Sequence, residues 1–315
     1  MVITRQHYLI ALAFLLGLFA LFAFMPFGSS SDPVAIQKTM DAGHAFAFIL
    51  LSSLIYLAVE HHGKKRAVTV AAIVSILLMV GIELIQPYVG RTASLADVEV
   101  GLLGMVIALS GMVVWRSSQR WLLRGAHLLL LVVSLVWIVQ PALTEWRALW
   151  LRDQQFPLLG VFEDELESRL WLASGALHGK QTEISFSQQY VGSGTHSLKV
   201  ETIKGTWSGV RYAAGAQDWR GYRALSMTIY NPAAAFNLNI RIDDGMTAVP
   251  AYSDRYNGRV AVNSGVNTVL LSLDDIAAGP KSRSLELSSI RKMVLFVGKQ
   301  QQTRLFYLDD IRLVP

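Results

Sequence analysis

Cysteine is absent from the 315 residues, which excludes disulfides, thiolate metal sites and cysteine nucleophiles together. Charge is scarce as well: 16% of residues are Asp, Glu, Lys or Arg, against 52% hydrophobic. The mean hydropathy of +0.39 is too apolar for an ordinary soluble enzyme. The scarcity is uneven. Residues 1–143 carry 9 Lys/Arg and 6 Asp/Glu, whereas residues 144–315 carry 19 and 17. Net charges of +3 and +2 are too small for a nucleic-acid footprint, so nucleic acid is not an expected partner. No phosphate loop, Ser-His-Asp motif or zinc helix is present. What remains is a membrane-like first half and a globular second half.

Apolar runs of roughly 17–25 residues are long enough to cross about 30 Å of hydrocarbon. Five runs meet or approach that length: Tyr8–Phe27, Ala42–Val59, Ala67–Gln86, Val98–Trp115 and Trp121–Val139. The first follows Arg5 but exceeds the usual apolar core of a signal peptide and lacks a small-residue cleavage site, so a retained anchor is expected. Alternate loops hold Arg5, then Lys64, Lys65 and Arg66, then Arg116, Arg120 and Arg124; the other two hold only Lys38 and Arg91. The positive-inside bias makes the first set cytoplasmic. The expected protein is therefore multi-pass in the cytoplasmic membrane, in contact with its lipids. Its N-terminus is inside and everything after Pro141 is extracytoplasmic.

Polar residues in or beside spanning segments are costly and are functional candidates by default. His44 and Asp41 open the second run, Glu83 and Gln86 lie one turn apart near the end of the third, Arg91 and Ser94 fill the next loop, and Asp97 opens the fourth. Helix direction alone brings them to one depth at the outer surface. Asp97 as a helix N-terminal residue and Glu83–Arg91 as a structural pair are the plainer readings.

The stretch Glu83-Leu-Ile-Gln86-Pro-Tyr-Val-Gly-Arg91-Thr-Ala-Ser94-Leu-Ala-Asp97, with Asp41-Ala-Gly-His44 upstream, resembles the signature of the VanZ-like membrane proteins over residues 8–115. Asp41 stands where that family commonly has Lys, and Gly101 where it has Asn. The resemblance implies an envelope-related role and supplies no reaction.

From Leu158 the pattern changes to period two. Leu225, Met227 and Ile229 alternate with Ala224, Ser226 and Thr228; Leu238, Ile240 and Ile242 alternate with Asn237, Asn239, Arg241 and Asp243. Met293-Val-Leu-Phe296 reads as a buried run. Turn signals at Gly192-Ser-Gly194, Asn231-Pro232, Asp244-Gly245 and Asn257-Gly258 separate the segments, which predicts a β-sandwich or barrel. Trp146–Gln155 reads as an amphipathic connector, within an interfacial linker at 142–157.

Phe162-Glu163, the Gly192–Val200 stretch, Asp218-Trp-Arg-Gly-Tyr222, Tyr230-Asn-Pro232 and the closing Phe306–Leu313 together resemble carbohydrate-binding modules of the jelly-roll, galactose-binding-like type over residues 158–315. That resemblance implies a structural Ca²⁺ held by Glu163 and Asp309, a hard-cation site of oxygen ligands; a hydrogen-bonded Asp309 without metal is the alternative. Leu305, Tyr307, Ile311 and Leu313 are expected to share a face with Asp309. Trp207, Tyr252 and Tyr256 are candidate sugar platforms, with Arg241, Asp243, Asp254 and Arg255 as polar partners. Core positions for the aromatics, and a solvated face for the Arg241 row, are the competing readings.

The expected architecture is a five-helix membrane bundle, residues 1–141, carrying an extracytoplasmic jelly-roll at 158–315. The expected role is recognition or processing of an envelope glycan or glycolipid. The alternatives are an enzyme acting on a lipid-linked sugar or phosphate through His44, Glu83, Arg91 and Asp97, and a scaffold whose external domain binds protein.

Overall fold

A computed structural model describes residues 34–89, 94–116, 121–246, 250–300 and 302–315. The first apolar run, 8–27, and Arg5, Arg91 and Arg120 lie outside the described residues, as does the side chain of Arg116. The chain divides into two compact units, with Val34–Leu143 in the first and Thr144–Pro315 in the second.

The first unit is helical: α1 (Val34–Val59), α2 (Lys64–Ile85), α3 (Leu95–Arg116) and the start of α4 (Trp121–Gln155). α1 begins eight residues before its apolar run. Lys38 pairs with Asp41 at 3.0 Å and Thr39 Oγ1 donates to the Ala35 carbonyl, so the polar turn is helical although it reads as a loop. A 3₁₀ turn at Glu60–His62 and Gly63, whose φ of 110° suits glycine, break the chain before α2. Ala67, Ala71, Ser75 and Met79 recur every fourth residue along the buried stripe of α2, and Ser75 Oγ meets Ser52 Oγ of α1 at 2.9 Å. α1 and α3 touch through backbone. A Cβ on Gly104 would stand 2.3 Å from the Ala45 carbonyl oxygen, and one on Gly101 would stand 3.0 Å from the Phe48 ring. Small residues at such contacts let two helix backbones approach this closely. Ile73, Leu77, Val80, Leu84, Leu129 and Trp137 are exposed. Among the described residues, four helices are long and apolar enough to cross a membrane.

α4 passes Pro141 and continues to Gln155 as one helix of 35 residues. The stretch expected as a separate connector, Trp146–Gln155, is its last part. Proline lacks a donor and the apolar run stops at Val139, which is why sequence ends the element early.

The second unit is a β-sandwich. One sheet runs β11-β8-β13-β6-β5, with β1 also on β13; the other runs β10-β9-β12-β7-β2. The strands are β1 (Leu158–Gly160), β2 (Trp171–Ser174), β5 (Glu183–Ser187), β6 (Ser197–Glu201), β7 (Ser208–Tyr212), β8 (Ala224–Asn231), β9 (Phe236–Asp244), β10 (Tyr256–Val262), β11 (Gly265–Ser272), β12 (Ile290–Val297) and β13 (Leu305–Val314); β3 (Ala176–Leu177) and β4 (Lys180–Gln181) form a small hairpin. Leu225, Met227 and Ile229 face inward with Leu238, Ile240 and Ile242, as alternation requires, and Trp219 is fully buried among them.

Three sequence readings need correction. Met293, Leu295 and Val297 are core, but Val294 and Phe296 are only partly buried, so β12 alternates. Asn257-Gly258 is strand, paired with Arg241 and Ile240; the Tyr256 side chain occupies the space a Cβ on Gly258 would need. Leu305 and Tyr307 do not share a face with Ile311 and Leu313. The register slips between Asp309 and Arg312, with Asp310 at φ 50°, and this bulge inverts the alternation. Phe306, Leu308, Ile311 and Leu313 are therefore inward, while Tyr307 joins Tyr190 and Tyr230 in a separate aromatic group.

Candidate functional site

The outer face of the β10-β9-β12-β7-β2 sheet holds a groove of about 580 Å³. Cross-strand register builds its floor. Asn257, Arg241, Val294 and Arg211 are successive partners across β10, β9, β12 and β7; Arg259, Asn239 and Phe296 form the adjoining row. Trp207 closes one end, its ring edge-on to Phe296 at 5.5 Å, and is 52% exposed. Tyr252, 70% exposed, sits in the turn Tyr252–Asp254, where Asn257 Nδ2 donates to its carbonyl at 2.8 Å. Arg255 lies over the Tyr252 ring at 5.4 Å, within cation–π range.

Five cationic side chains line this groove: Arg211, Arg241, Arg255, Arg259 and Lys292. Beneath them, Asp243 accepts both prongs of Arg241 at 2.7 and 2.6 Å and stands 4.0 Å from Lys292. Burial pushes the Lys292 ammonium below its usual range; Asp243 opposes that shift, while Arg241, Arg211 and Arg255 add to it. Burial, then Arg241, likewise lowers Arg255. Arg211 Nε is buried with no hydrogen-bond partner among the described residues. The groove thus combines exposed aromatic faces, planar amides and an excess of positive charge.

Of the residues singled out by sequence, Trp207, Arg241, Tyr252 and Arg255 line the groove and Asp243 lies under it. Asp254 instead accepts from Arg283 at 2.6 Å, and the same guanidinium holds buried Asp244. Asp244 remains well ionised: burial raises it, but Arg283 and the N–H groups of Glu286 and Met246 more than reverse the shift. Tyr256 packs against the core. Sequence missed Arg211, Asn257, Arg259 and Lys292, whose signal is their outward parity on strands whose pairing is non-local.

Glu163 and Asp309 fasten the two ends of one loop. Glu163 accepts from the Thr195 N–H, the Thr195 hydroxyl and the His196 N–H at 2.6–2.8 Å. Asp309 accepts from Gly192, Ser193 and Asp310 N–H at 2.7–3.0 Å. The bonds from Thr195 and His196 hold Glu163 down at about 2. Asp309 moves the other way, raised by burial against its three N–H bonds. A carboxylate has about four lone-pair sites, and these donors occupy three on each acid, which leaves one on each for a further partner.

In the helical unit, His44 of α1, Glu83 of α2 and Asp97 of α3 offer ligand atoms that all lie within 4.8 Å of one another. Ser94 N–H donates to Glu83 Oε2 at 2.7 Å. Asp41 is engaged with Lys38. Gln86 is fully buried, and neither atom of its amide has a hydrogen-bond partner among the described residues.

No family model matches the chain, and no curated protein matches it; the VanZ-like resemblance rests on its motif residues alone. Among solved structures the chain is similar to the family 11 carbohydrate-binding module from Clostridium thermocellum in complex with a beta-1,3-1,4-mixed-linked tetrasaccharide, with 18% identity, TM-score 0.40, and 50% of this chain and 94% of that one covered. An exo-beta-agarase matches at 16% identity and TM-score 0.39, over 50% of this chain and 24% of the agarase. A xylan-binding family 22 domain matches at 15% identity and TM-score 0.32, over 49% and 90%. These likenesses concern the fold of the C-terminal region.

Proposed function

We propose that the protein is a membrane-anchored glycan-binding protein whose β-sandwich takes an acidic carbohydrate of the cell envelope in the groove between Trp207 and Tyr252. The carrying observation is the groove itself, with exposed aromatic faces above five cations. A sugar ring has an apolar C–H face that suits an aromatic ring and a hydroxyl rim that suits Asn239 and Asn257. A carboxylate, sulfate or phosphate on the sugar suits Arg211, whose buried Nε lacks a partner, and charge-assisted bonds are the strong ones. The helical unit spans the membrane, and the β-sandwich stands on its outer side, in line with the basic loops at Lys64–Arg66 and beyond Arg116. Glu163 and Asp309 bind a structural Ca²⁺ beside loop 192–196.

The test is binding of the full chain in detergent to an array of neutral and acidic bacterial glycans. Acidic glycans are expected to bind, with affinity falling as salt rises. Trp207→Ala is expected to weaken binding about tenfold, the value of one stacked face, and Arg259→Ala to reduce the salt dependence. Equal retention of neutral glycans, or unchanged binding in both variants, would refute the groove. A C-terminal alkaline phosphatase fusion should be active; an inactive one, with a bright green fluorescent fusion, would place the β unit inside.

A further inference from the structure

The helical unit contains a second constellation that the groove does not use. His44, Glu83 and Asp97 come from three different helices. His44 is only 4% exposed. Its Nδ1 lies 3.1 Å from the Met40 carbonyl oxygen, an acceptor only, so Nδ1 carries the hydrogen and donates. In the neutral ring Nε2 is then the lone-pair nitrogen. It is buried with no hydrogen-bond partner among the described residues, and it is the ring atom left to join the carboxylate oxygens of Glu83 and Asp97.

A bare nitrogen lone pair facing two acceptor groups in a buried position is repulsive. A proton on Nε2 or a bound cation would relieve that repulsion. Three features favour the cation. Imidazole plus carboxylate oxygens is a ligand set for divalent first-row metals, whereas Ca²⁺ and Mg²⁺ prefer oxygen alone. Metal-binding histidines characteristically donate their other N–H to a backbone carbonyl, as His44 does to Met40. Ligating carboxylates are themselves held by hydrogen bonds, as Glu83 is by Ser94 N–H.

We propose that His44 Nε2, Glu83 and Asp97 form a binding site for a divalent transition metal such as Zn²⁺. Ligands at about 2.0–2.2 Å in a tetrahedron stand roughly 3.4 Å apart. The present separations of up to 4.8 Å therefore close by about an ångström on binding, through rotation of the two carboxylates. Three protein ligands leave the fourth position to water, the pattern of a site that exchanges a ligand rather than one that only braces a fold.

The experiment titrates Co²⁺ and Zn²⁺ into the purified full chain, with the exposed neighbours His61 and His62 both changed to Ala to remove a surface site. One tightly bound equivalent is expected, with the visible absorption of four-coordinate Co²⁺ that Zn²⁺ abolishes. His44→Ala should lower Co²⁺ affinity at least tenfold, and so should Glu83→Gln and Asp97→Asn, which keep the side-chain shape where loss of a buried ring unfolds the protein. Glu99→Gln, an exposed acid of the same helix, should bind as the parent does. A parent chain that takes up no Co²⁺ overturns the proposal. Equal affinity in all three ligand variants does the same. Neither result bears on glycan binding by the β-sandwich, which its own array decides.

Discussion

A contrast runs between the buried carboxylates of the β-sandwich and two buried polar groups of the helical unit. In the β-sandwich, buried carboxylates are surrounded by donors. Glu167 accepts from Val161, Phe162 and Glu163 N–H at 3.0–3.3 Å, and Asp243 and Asp244 each hold a guanidinium. In the helical unit, His44 Nε2 and the Gln86 amide are buried without hydrogen-bond partners among the described residues. Desolvated polar atoms are costly unless matched. Saturated groups have finished their work in the folded chain, and unsaturated ones retain a capacity to bind. Within the sandwich the same distinction separates Arg283, saturated by Asp244 and Asp254, from Arg211 in the groove.

Breaking a saturated group should have the largest effect. Glu167→Ala strands three N–H donors, each worth about 1 kcal/mol or more when left unmet. A loss of about 3 kcal/mol, seen as a melting temperature lower by roughly 6–12 °C, is expected in a thermal scan. Unchanged melting would show that saturation does not matter here. A chelator should come next. If Ca²⁺ occupies the remaining sites of Glu163 and Asp309, its removal costs about 2.7 kcal/mol where the ion was at a hundredfold excess over its dissociation constant. Chelation without effect on melting, with Asp309→Asn also silent, would leave the acids as loop fasteners only.

The same two acids predict opposite pH behaviour. Glu163 is held at about 2, below its ordinary 4.5, so its contribution is full above about pH 4.5 and is lost as pH falls toward 2. Asp309 is raised, so its contribution is present below its ordinary value of 3.8 and is lost as pH rises through the raised one. Urea midpoints measured against pH should therefore flatten on the acid side in Glu163→Gln and not in Asp309→Asn. Identical profiles would refute the assignment. Smallest of all should be Gln86→Leu, which removes two unpartnered polar atoms at similar volume. Abundance and melting are expected to be unchanged or slightly higher, and a clear loss would reveal a partner for that amide.

Much of the sandwich is legible in sequence because alternation is local: Leu238, Ile240 and Ile242 announce an inward row, and Arg241 an outward one. The groove is less legible. Arg211, Arg259 and Lys292 reach Arg241 only through pairings across β7, β12, β9 and β10, and no spacing along the chain encodes that order. The bulge at Asp309–Asp310 is also invisible, because one residue in a left-handed conformation inverts a pattern that reads as continuous. In the helical unit the apolar runs locate α1 to α4 but not their ends. The convergence of His44, Glu83 and Asp97 follows from helix direction, whereas the stranded Nε2 depends on a hydrogen bond within α1.

The contact of Gly104 with the Ala45 carbonyl acts as a key in a lock. Asp97, Gly101 and Gly104 lie on one stripe of α3 at spacings of four and three, and Ala45 adjoins His44. A slide of α3 that brought Ala108 to this position, one helical turn or about 5.4 Å away, would set its Cβ against the Ala45 carbonyl. The close approach therefore favours the alignment that holds Asp97 level with His44. Glycine, with no side chain of its own, fixes where its polar neighbours stand.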